Sequence, residues 1–313
     1  MSAAAVSGAG RAQRRRLTRA DIPALNQLFS EAFTDRYRRD GLTGVRVPPL
    51  NPAIWRYAID DAGDGAMCWV DAADRLVAFN IAHQSGAEGW MGPLAVRAEW
   101  QGTGLGKTIV QAGVDHLRGA ACRVIGLETM PRTLDNVGFY SRLGVTLAFD
   151  ARPAPLILLS RLGEARGETT LAACAALVHA MQPGVDFTRE IQLTRTLGIG
   201  DTVVLEGDDG LDGFALCHDA SLVEGRPRED VRVLKLAVRD VTRLPALLAG
   251  VGAYARECGV GRAAVRVQGD YPAAYQAIIA MGARVRWTDL RMTLGGSGEQ
   301  VPAHGAVFSN WEI

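Results

Sequence analysis

The sequence predicts an α+β (α/β) protein made of two copies of one unit, each a mixed, mostly antiparallel sheet flanked by helices. Three observations predict it. A helix-periodic segment is followed by a run of short apolar strands and then by alternating helix and strand. The same order restarts after a polar, glycine-containing stretch at 161–170. Short segments also recur in one order at nearly constant offset: 76–83 parallels 211–218, Leu94-Ala95-Val96-Arg97 returns as Leu236-Ala237-Val238-Arg239, and Leu143-Gly144 matches Met281-Gly282. A chain of 313 residues is long enough for two domains of ordinary size. The expected division is a disordered arm at 1–16, a first unit at 17–162, a linker at 163–170 and a second unit at 171–313.

Within the first unit, 17–33 reads as a helix. Leu25, Leu28, Phe29 and Ala32 fall at helical spacing, and Asp21-Ile22-Pro23 suits a first turn. Residues 37–52 are basic and proline-containing, with no clear period. Strands are expected at 66–70, 76–83 and 89–96, with a turn at 71–74. Leu105, Ile109, Val110, Val114 and Leu117 mark one face of a helix. A strand at 124–130, a short helix at 134–143 closed by Gly144 and a strand at 156–162 complete the unit. The second unit repeats the scheme. Helices are expected at 171–181, along Leu244, Leu247, Leu248, Val251 and Ala255, and at 273–281. Its strands are expected at 202–205, 211–218, 231–238, 263–267 and 285–294.

The stretch between the strand ending at Val96 and the helix opening at Leu105 carries the chemistry. It contains three alternating glycines, Gly102, Gly104 and Gly106. Main-chain N–H groups at such a loop and helix start form an anion site, and the glycines let backbone approach a phosphate closely. A phosphate loop of ATPases would need glycine at 101, which is Gln101, and a dinucleotide fingerprint would need glycine at 107, which is Lys107. A plain glycine-rich turn remains as the reading without a ligand. The pattern of Gln101, Gly104 and Gly106 resembles the pyrophosphate loop of the GCN5-related N-acetyltransferases (GNAT), a family that uses acetyl-CoA.

The resemblance implies the rest of the site. The pantetheine arm would bond like an extra strand along the backbone of Leu94, Ala95 and Val96, with an N–H near Leu94 or Ala95 polarising the thioester carbonyl. The pyrophosphate would meet the amides of Gly102, Thr103, Gly104, Leu105, Gly106 and Lys107, with Gln101 bonding a phosphate or capping the loop. Asn136 would bond the pantetheine region. Tyr140, four residues on and on the same helix face, would protonate the departing thiolate. A phenol with a pKa of about 10 can protonate a thiolate of about 8.5 at small cost. Glu128 is the first choice for a general base, with Glu88 and His83 as alternatives. His83 has a counterpart in His218, which also fits a shared role in the fold. An amine that arrives neutral needs no base. The co-substrate implied is acetyl-CoA, with no metal.

The second unit departs from this pattern. Its loop at 239–245 has no glycine, Pro245 removes an N–H from the turn and Asp240 would repel an anion. Ile278 stands where the first unit has Tyr140. This copy is expected not to bind CoA, while still shaping the acceptor site together with residues 37–55.

Composition narrows the classes. Apolar residues make up 48% and charged residues 22%, as in a soluble globular protein. A formal net charge of zero argues against broad binding of nucleic acid. The five cysteines are odd in number and lack a C-x-x-C spacing, which suits reduced thiols in a cytosolic protein. No apolar run approaches the roughly 18 residues of a membrane span, and residues 1–16 lack a signal core, so a cytoplasmic location is expected. The two lysines, set against abundant arginine and alanine, suggest a GC-rich bacterial genome. The resulting function is an N-acetyltransferase in which a small-molecule amine attacks the thioester directly, acting as a monomer or homodimer. The alternative is an aminoacyl-tRNA-dependent amide-forming transferase, with Arg11, Arg14, Arg15, Arg16, Arg36, Arg38 and Arg39 on the RNA backbone. A third reading is a CoA-binding regulator without turnover.

Overall fold

The computed structural model describes residues 12–39, 41–129, 141–149 and 154–310. Its first half runs β1 (Gln13–Arg16), α1 (Ile22–Arg39), α2 (Pro52–Ala62), β2 (Ala66–Val70), β3 (Leu76–Ser85), β4 (Glu88–Val96), α3 (Leu105–Gly119), β5 (Val124–Thr129) and β6 (Ser141–Ala148). The second half repeats that order as β7 (Ile157–Leu158), α4 (Glu164–Met181), α5 (Thr188–Leu197), β8 (Gly200–Gly207), β9 (Gly210–His218), β10 (Val231–Val238), α6 (Leu244–Glu257), β11 (Arg262–Gln268), α7 (Pro272–Ala280) and β12 (Arg284–Thr293). A further strand, β13 (Ala306–Ser309), follows.

Several local expectations change. Residues 13–16 are not a disordered arm: they form β1, antiparallel to β2, with Arg15 paired to Asp21 at 2.7 Å. Residues 141–143 are strand rather than the end of a helix, because the edges of β11 and β12 are both available to pair with them. The expected strand at 156–162 is the two-residue β7 followed by a 3-10 turn. The expected linker at 163–170 is the first two turns of α4 after Gly163. Two helices were not anticipated. Helix α2 starts from Asn51, whose side chain accepts from the Ala53 N–H, with Pro52 at the first turn. Helix α5 follows Asp186, whose carboxylate accepts from the Thr188 N–H.

The thirteen strands of the described residues join one sheet, in the order β1-β2-β3-β4-β5-β12-β6-β11-β10-β9-β8-β7, with β13 added on β10. The pairs β4–β5 and β10–β11 are parallel, and the others are antiparallel. At the centre the halves exchange strands. Strand β12 of the second half pairs with β5, and β6 of the first half pairs with β11. The expected units at 17–162 and 171–313 therefore each lend a strand to the other.

Helices cover both faces of the sheet. In the first half, alternate residues of β2 and β3 point to opposite sides, as strand periodicity requires. Cys68, Phe79 and Ile81 pack with Trp55, Ala58 and Leu25 of α1 and α2. Met67, Trp69, Ala78 and Ala82 pack with Leu105, Ile109, Val114 and Leu117 of α3. Burying each such large aliphatic side chain contributes roughly 1.5–3 kcal/mol before the cost of ordering it. Among the described residues no helix is long and apolar enough to cross a membrane.

Candidate active site

The parallel pairing of β4 with β5 runs from Glu88↔Val124 to Met91↔Leu127 and stops there. Opposite Ile81 the register of β4 on β3 slips between Met91 and Leu94, so Gly92 and Pro93 form a bulge. Beyond a bulge a strand bends away from its neighbour. Leu94–Val96 stays paired to β3 through Asn80↔Leu94 and Ala78↔Val96. On the other side, among the described residues, no strand pairs with it. Among the described residues no strand lies between this edge and Glu128–Thr129 of β5, past the last β4–β5 pair, and this gap, here called the slot, leaves the β4 backbone free to pair with an extended chain.

The glycine loop closes one end of the slot. Gly102 and Gly104 have φ of 78° and 90°, a left-handed conformation that favours glycine, and Gly104 caps α3 with no side-chain hydrogen bond. Added Cβ atoms on Gly102, Gly104 or Gly106 would meet nothing within 4 Å, so the space over this turn is open. The first N–H groups of an α-helix have no intrahelical partner, and here they face that space with the positive end of the helix dipole. Gln101 staples the loop. Its Nε2 donates to the Val96 carbonyl at 2.9 Å, and its Oε1 accepts from Arg39 Nη1 at 2.8 Å. Lys107 is exposed on the first turn. Helix α3 is held against the strands by Asn80, whose Nδ2 donates to the Ile109 carbonyl at 2.8 Å. Close contact at Gly113 adds to this, since a Cβ there would lie 2.4 Å from Met91 Sδ.

Behind the bulge sits a buried polar chain. Asp61 of α2 meets His83 Nδ1 at 2.7 Å, and His83 Nε2 donates to the Gly92 carbonyl at 3.1 Å. Arg189 of α5 closes on Asp61 at 2.9 Å. Burial alone would raise the Asp61 carboxyl, but the hydrogen bond and charge of His83, with Arg189, hold it below its usual range. With Asp61 ionised, both ring nitrogens of His83 donate, and the ring ties the bulge of β4 to both halves. Beside this chain lies a cavity of about 210 Å³ between the halves, lined by α2, His83 and residues of β9 to β12.

Glu128, the first choice for a base, is 3% exposed at its side chain and is bridged by Arg291 and by Arg266, the latter at 3.5 Å. Arg291 also reaches Glu88 at 3.2 Å and stacks 3.4 Å above the Trp90 ring. Burial, with the charge of Glu299, pushes the Glu88 carboxyl up. Glu128 and Glu88 are thus partners in the ion cluster that anchors the exchanged strand β12 to the first half, and Glu128 is not open to an incoming amine. The expected Tyr140 and Asn136 lie outside the described residues. The structure brings together Leu94, Ala95, Val96, Gln101, Gly102, Thr103, Gly104, Leu105, Gly106 and Lys107 around one slot and loop. Sequence reasoning missed Asp61 and Arg189. The pairing of Asp61 with His83 spans 22 positions and that with Arg189 spans 128, so no local pattern signals them.

In the second half the equivalent positions are occupied from within. Lys235–Val238 of β10 pairs with β13, with Leu236 opposite Phe308 and Ala237 opposite Val307. Asp240 caps its own turn by accepting from the N–H and hydroxyl of Thr242, each at 2.8 Å.

A signature described as the Acetyltransferase (GNAT) family matches residues 23–145. The chloroplastic serotonin N-acetyltransferase 2 of Oryza sativa subsp. japonica is 32% identical over 145 residues, covering 45% of this chain and 64% of that protein. The chain therefore matches somewhat less than two thirds of that relative's length. Among solved structures, a candidate acetyltransferase from Pyrococcus horikoshii superposes with a TM-score of 0.63 at 14% identity, over 96% of this chain and 94% of that one. The N-myristoyltransferase of Saccharomyces cerevisiae with bound myristoyl-CoA superposes with a TM-score of 0.61 at 10% identity, over 97% of this chain and 86% of that one. At such identities the two structures speak for the fold. The slot, the glycine loop and the family signature fall on the same residues: over 23–145 the chain carries a GNAT-family acetyltransferase domain.

Proposed function

We propose that the protein is an acetyl-CoA-dependent N-acetyltransferase with one co-substrate site, in the first half, and a small-molecule amine as acceptor. The observation that carries this reading is the open edge of Leu94–Val96 beside the capless, glycine-lined start of α3. The residues present fit the group. An extended pantetheine arm can bond to the strand edge, and a pyrophosphate can accept from the amides of Gly104 to Lys107. Each charge near an exposed helix start gains only about 0.3–1 kcal/mol from the dipole, so several amide hydrogen bonds must share the work.

When bound, acetyl-CoA supplies an activated acetyl group: the acceptor nitrogen forms the new N–C bond as the C–S bond breaks, and the amine proton ends on the departing thiol. Because N–H groups alternate along a strand and Ala95 lies opposite Phe79 in the ladder with β3, the N–H of Leu94, turned to the free edge, orients and polarises the carbonyl. Tyr140, immediately before β6 in sequence, is assigned the proton for the leaving sulfur, and Asn136 the pantetheine contact. His83 is a positioning residue that fixes the Gly92 carbonyl and with it the bend of β4. The serotonin acceptor named for the rice relative supports a small amine here, and the myristoyl-CoA of the yeast structure leaves chain length as a property of the slot.

Gly104→Ile tests the reading. A β-branched residue at φ 90° is strained and projects into the phosphate space. Calorimetry should show acetyl-CoA affinity falling about 100-fold or more, as expected when two charge-assisted hydrogen bonds are lost. Unchanged affinity in a folded variant would overturn it.

A further inference from the structure

The second half grips the first at the turn between β3 and β4. Residues 183–190, which lead into α5 and form its first turn, lie against it. The Ala87 N–H donates to the Gly184 carbonyl at 2.7 Å, and Arg123 donates to the Pro183 carbonyl. The approach is close, since a Cβ on Gly86 would lie 2.1 Å from the Gly184 carbonyl oxygen. On α5 itself, Arg189 donates to the Gln84 carbonyl and Glu190 accepts from the Ser85 hydroxyl. These contacts dock one half on the other.

Arg189 reaches further than the docking contacts. Its Nε and Nη2 donate to Oδ1 of Asp61, at 3.2 and 2.9 Å. The other carboxylate oxygen, Oδ2, meets His83 Nδ1 at 2.7 Å. With a partner on each oxygen, the carboxylate cannot turn about its Cβ–Cγ bond without losing a charge-assisted hydrogen bond. Asp61 and His83 are buried, where water cannot replace a lost partner. Fixed by Asp61, the His83 ring directs Nε2 at the Gly92 carbonyl, 3.1 Å away.

That carbonyl governs the edge of the slot. It shares a planar peptide unit with the nitrogen of Pro93, and the pyrrolidine ring then fixes φ of Pro93. Between the Gly92 carbonyl and the peptide unit that carries the Leu94 N–H, only ψ of Pro93 is left soft. N–H groups alternate along a strand, and the Arg97 N–H, three residues on, donates to the Val77 carbonyl of β3 at 2.8 Å. The Leu94 N–H therefore points away from β3, into the slot.

We propose that Arg189 is a positioning residue for acetyl transfer. Acting through Asp61 and His83, it sets the direction in which Leu94 presents its N–H to the thioester carbonyl. The half whose own loop lacks glycine thus takes part in the chemistry of the other. The proposal rests on the acetyltransferase reading above and deepens it.

The test reads that N–H through acetyl-CoA isotope-labelled at its carbonyl carbon and bound to the full chain. A hydrogen bond from Leu94 weakens the C=O bond, so its infrared stretch should lie lower than in free acetyl-CoA. In Arg189→Gln most of that lowering should be lost. Affinity for CoA, which has no acetyl carbonyl, should stay within about 2-fold by calorimetry, less than one hydrogen bond is worth. The Arg189 side chain is 48% exposed, so a small cation can reach its place from solution. Methylguanidinium should restore the lowered stretch in Arg189→Ala. Arg123→Gln loosens the docking without touching Asp61 and should leave the stretch as it is. An unlowered stretch in the unaltered protein, or one that Arg189→Gln does not move, overturns the proposal and leaves the acetyltransferase reading standing. So does a lowering lost equally in Arg123→Gln, or one that methylguanidinium does not restore. An Arg189→Gln variant that fails to fold, or that loses CoA affinity as well, assigns the residue to stability and overturns the proposal too. Failure of the unaltered protein to bind either acetyl-CoA or CoA sinks the acetyltransferase reading, and the proposal with it.

Discussion

Leu94–Val96 and Leu236–Val238 occupy matching places in the two halves, each just after a register slip and next to a parallel neighbour. In the second half the edge is filled by β13, and the turn beyond it by the carboxylate of Asp240. In the first half, among the described residues, no strand fills the edge and no side chain caps the start of α3 at Gly104. The filled copy shows what each position accepts: an extended chain on the strand, an anion at the turn. Gly305, with φ 74°, shows how closely such a chain must enter, since a Cβ there would lie 2.1 Å from the Val238 carbonyl oxygen. The difference teaches that one sheet architecture either leaves a strand edge unpaired among the described residues or completes its own core there, depending on whether a later strand fills the bend.

The largest effect should come from emptying the filled edge. Phe308 is 2% exposed and stacks edge-on to Tyr271 at 5.5 Å. Phe308→Ala should cost about 3–5 kcal/mol of stability, read by urea unfolding, because it leaves a cavity. An effect below about 1 kcal/mol would mean that β13 is dispensable and the comparison is only formal. Next in size is Tyr140→Phe. Turnover should fall about 100-fold, in the range of general acid catalysis, with acetyl-CoA affinity unchanged by calorimetry. An unaltered kcat would remove the assigned difference between Tyr140 and its counterpart Ile278.

The smallest expected effect contrasts two buried carboxylates, Asp61 of α2 and Glu190 of α5. Glu190 is 1% exposed and accepts from the Ser85 hydroxyl, and burial, with the charge of Asp61, pushes it from 4.5 up to about 8. The folded state thus holds this proton more tightly than the unfolded chain. The stabilisation from Glu190 is complete below about 4.5 and is lost as pH rises through about 8. Asp61, held low, has the opposite sign: its contribution is present at neutral pH and is lost on acidification. Urea unfolding from pH 6 to 8 should show stability falling by at most about 1.4 kcal/mol per unit from this group. Glu190→Gln should flatten that slope. A slope that persists in the variant would assign the titration elsewhere.

Much of the site is legible in the sequence because its information is local. An apolar strand, three alternating glycines and an amphipathic helix sit within 90–119, and each is read from its neighbours. What was not legible is set by distant chain. Residues 141–143 follow a helix-like pattern but become strand because β11 and β12 lie on either side. Glu128 reads as an open carboxylate until Arg266 and Arg291 arrive from the second half. The signal for α2 was present in Asn51-Pro52, a capping residue followed by a first-turn proline, and in Ile54, Trp55, Ala58 and Ile59 at helical spacing. Strand β13 is four residues long, and nothing in its own sequence says that it fills a bend in β10.

The exchange of β6 and β12 sets an order on synthesis. Until residues 284–293 emerge, β5 has no partner beyond β4, and both Glu88 and Glu128 lack Arg291. A nascent first half thus exposes a strand edge and two acids without that arginine, features that invite wrong pairing. Contacts this distant in sequence slow folding, since the loop must close before any bond rewards it. A chain cut between the halves would yield not two working pieces but two sheets, each missing its centre.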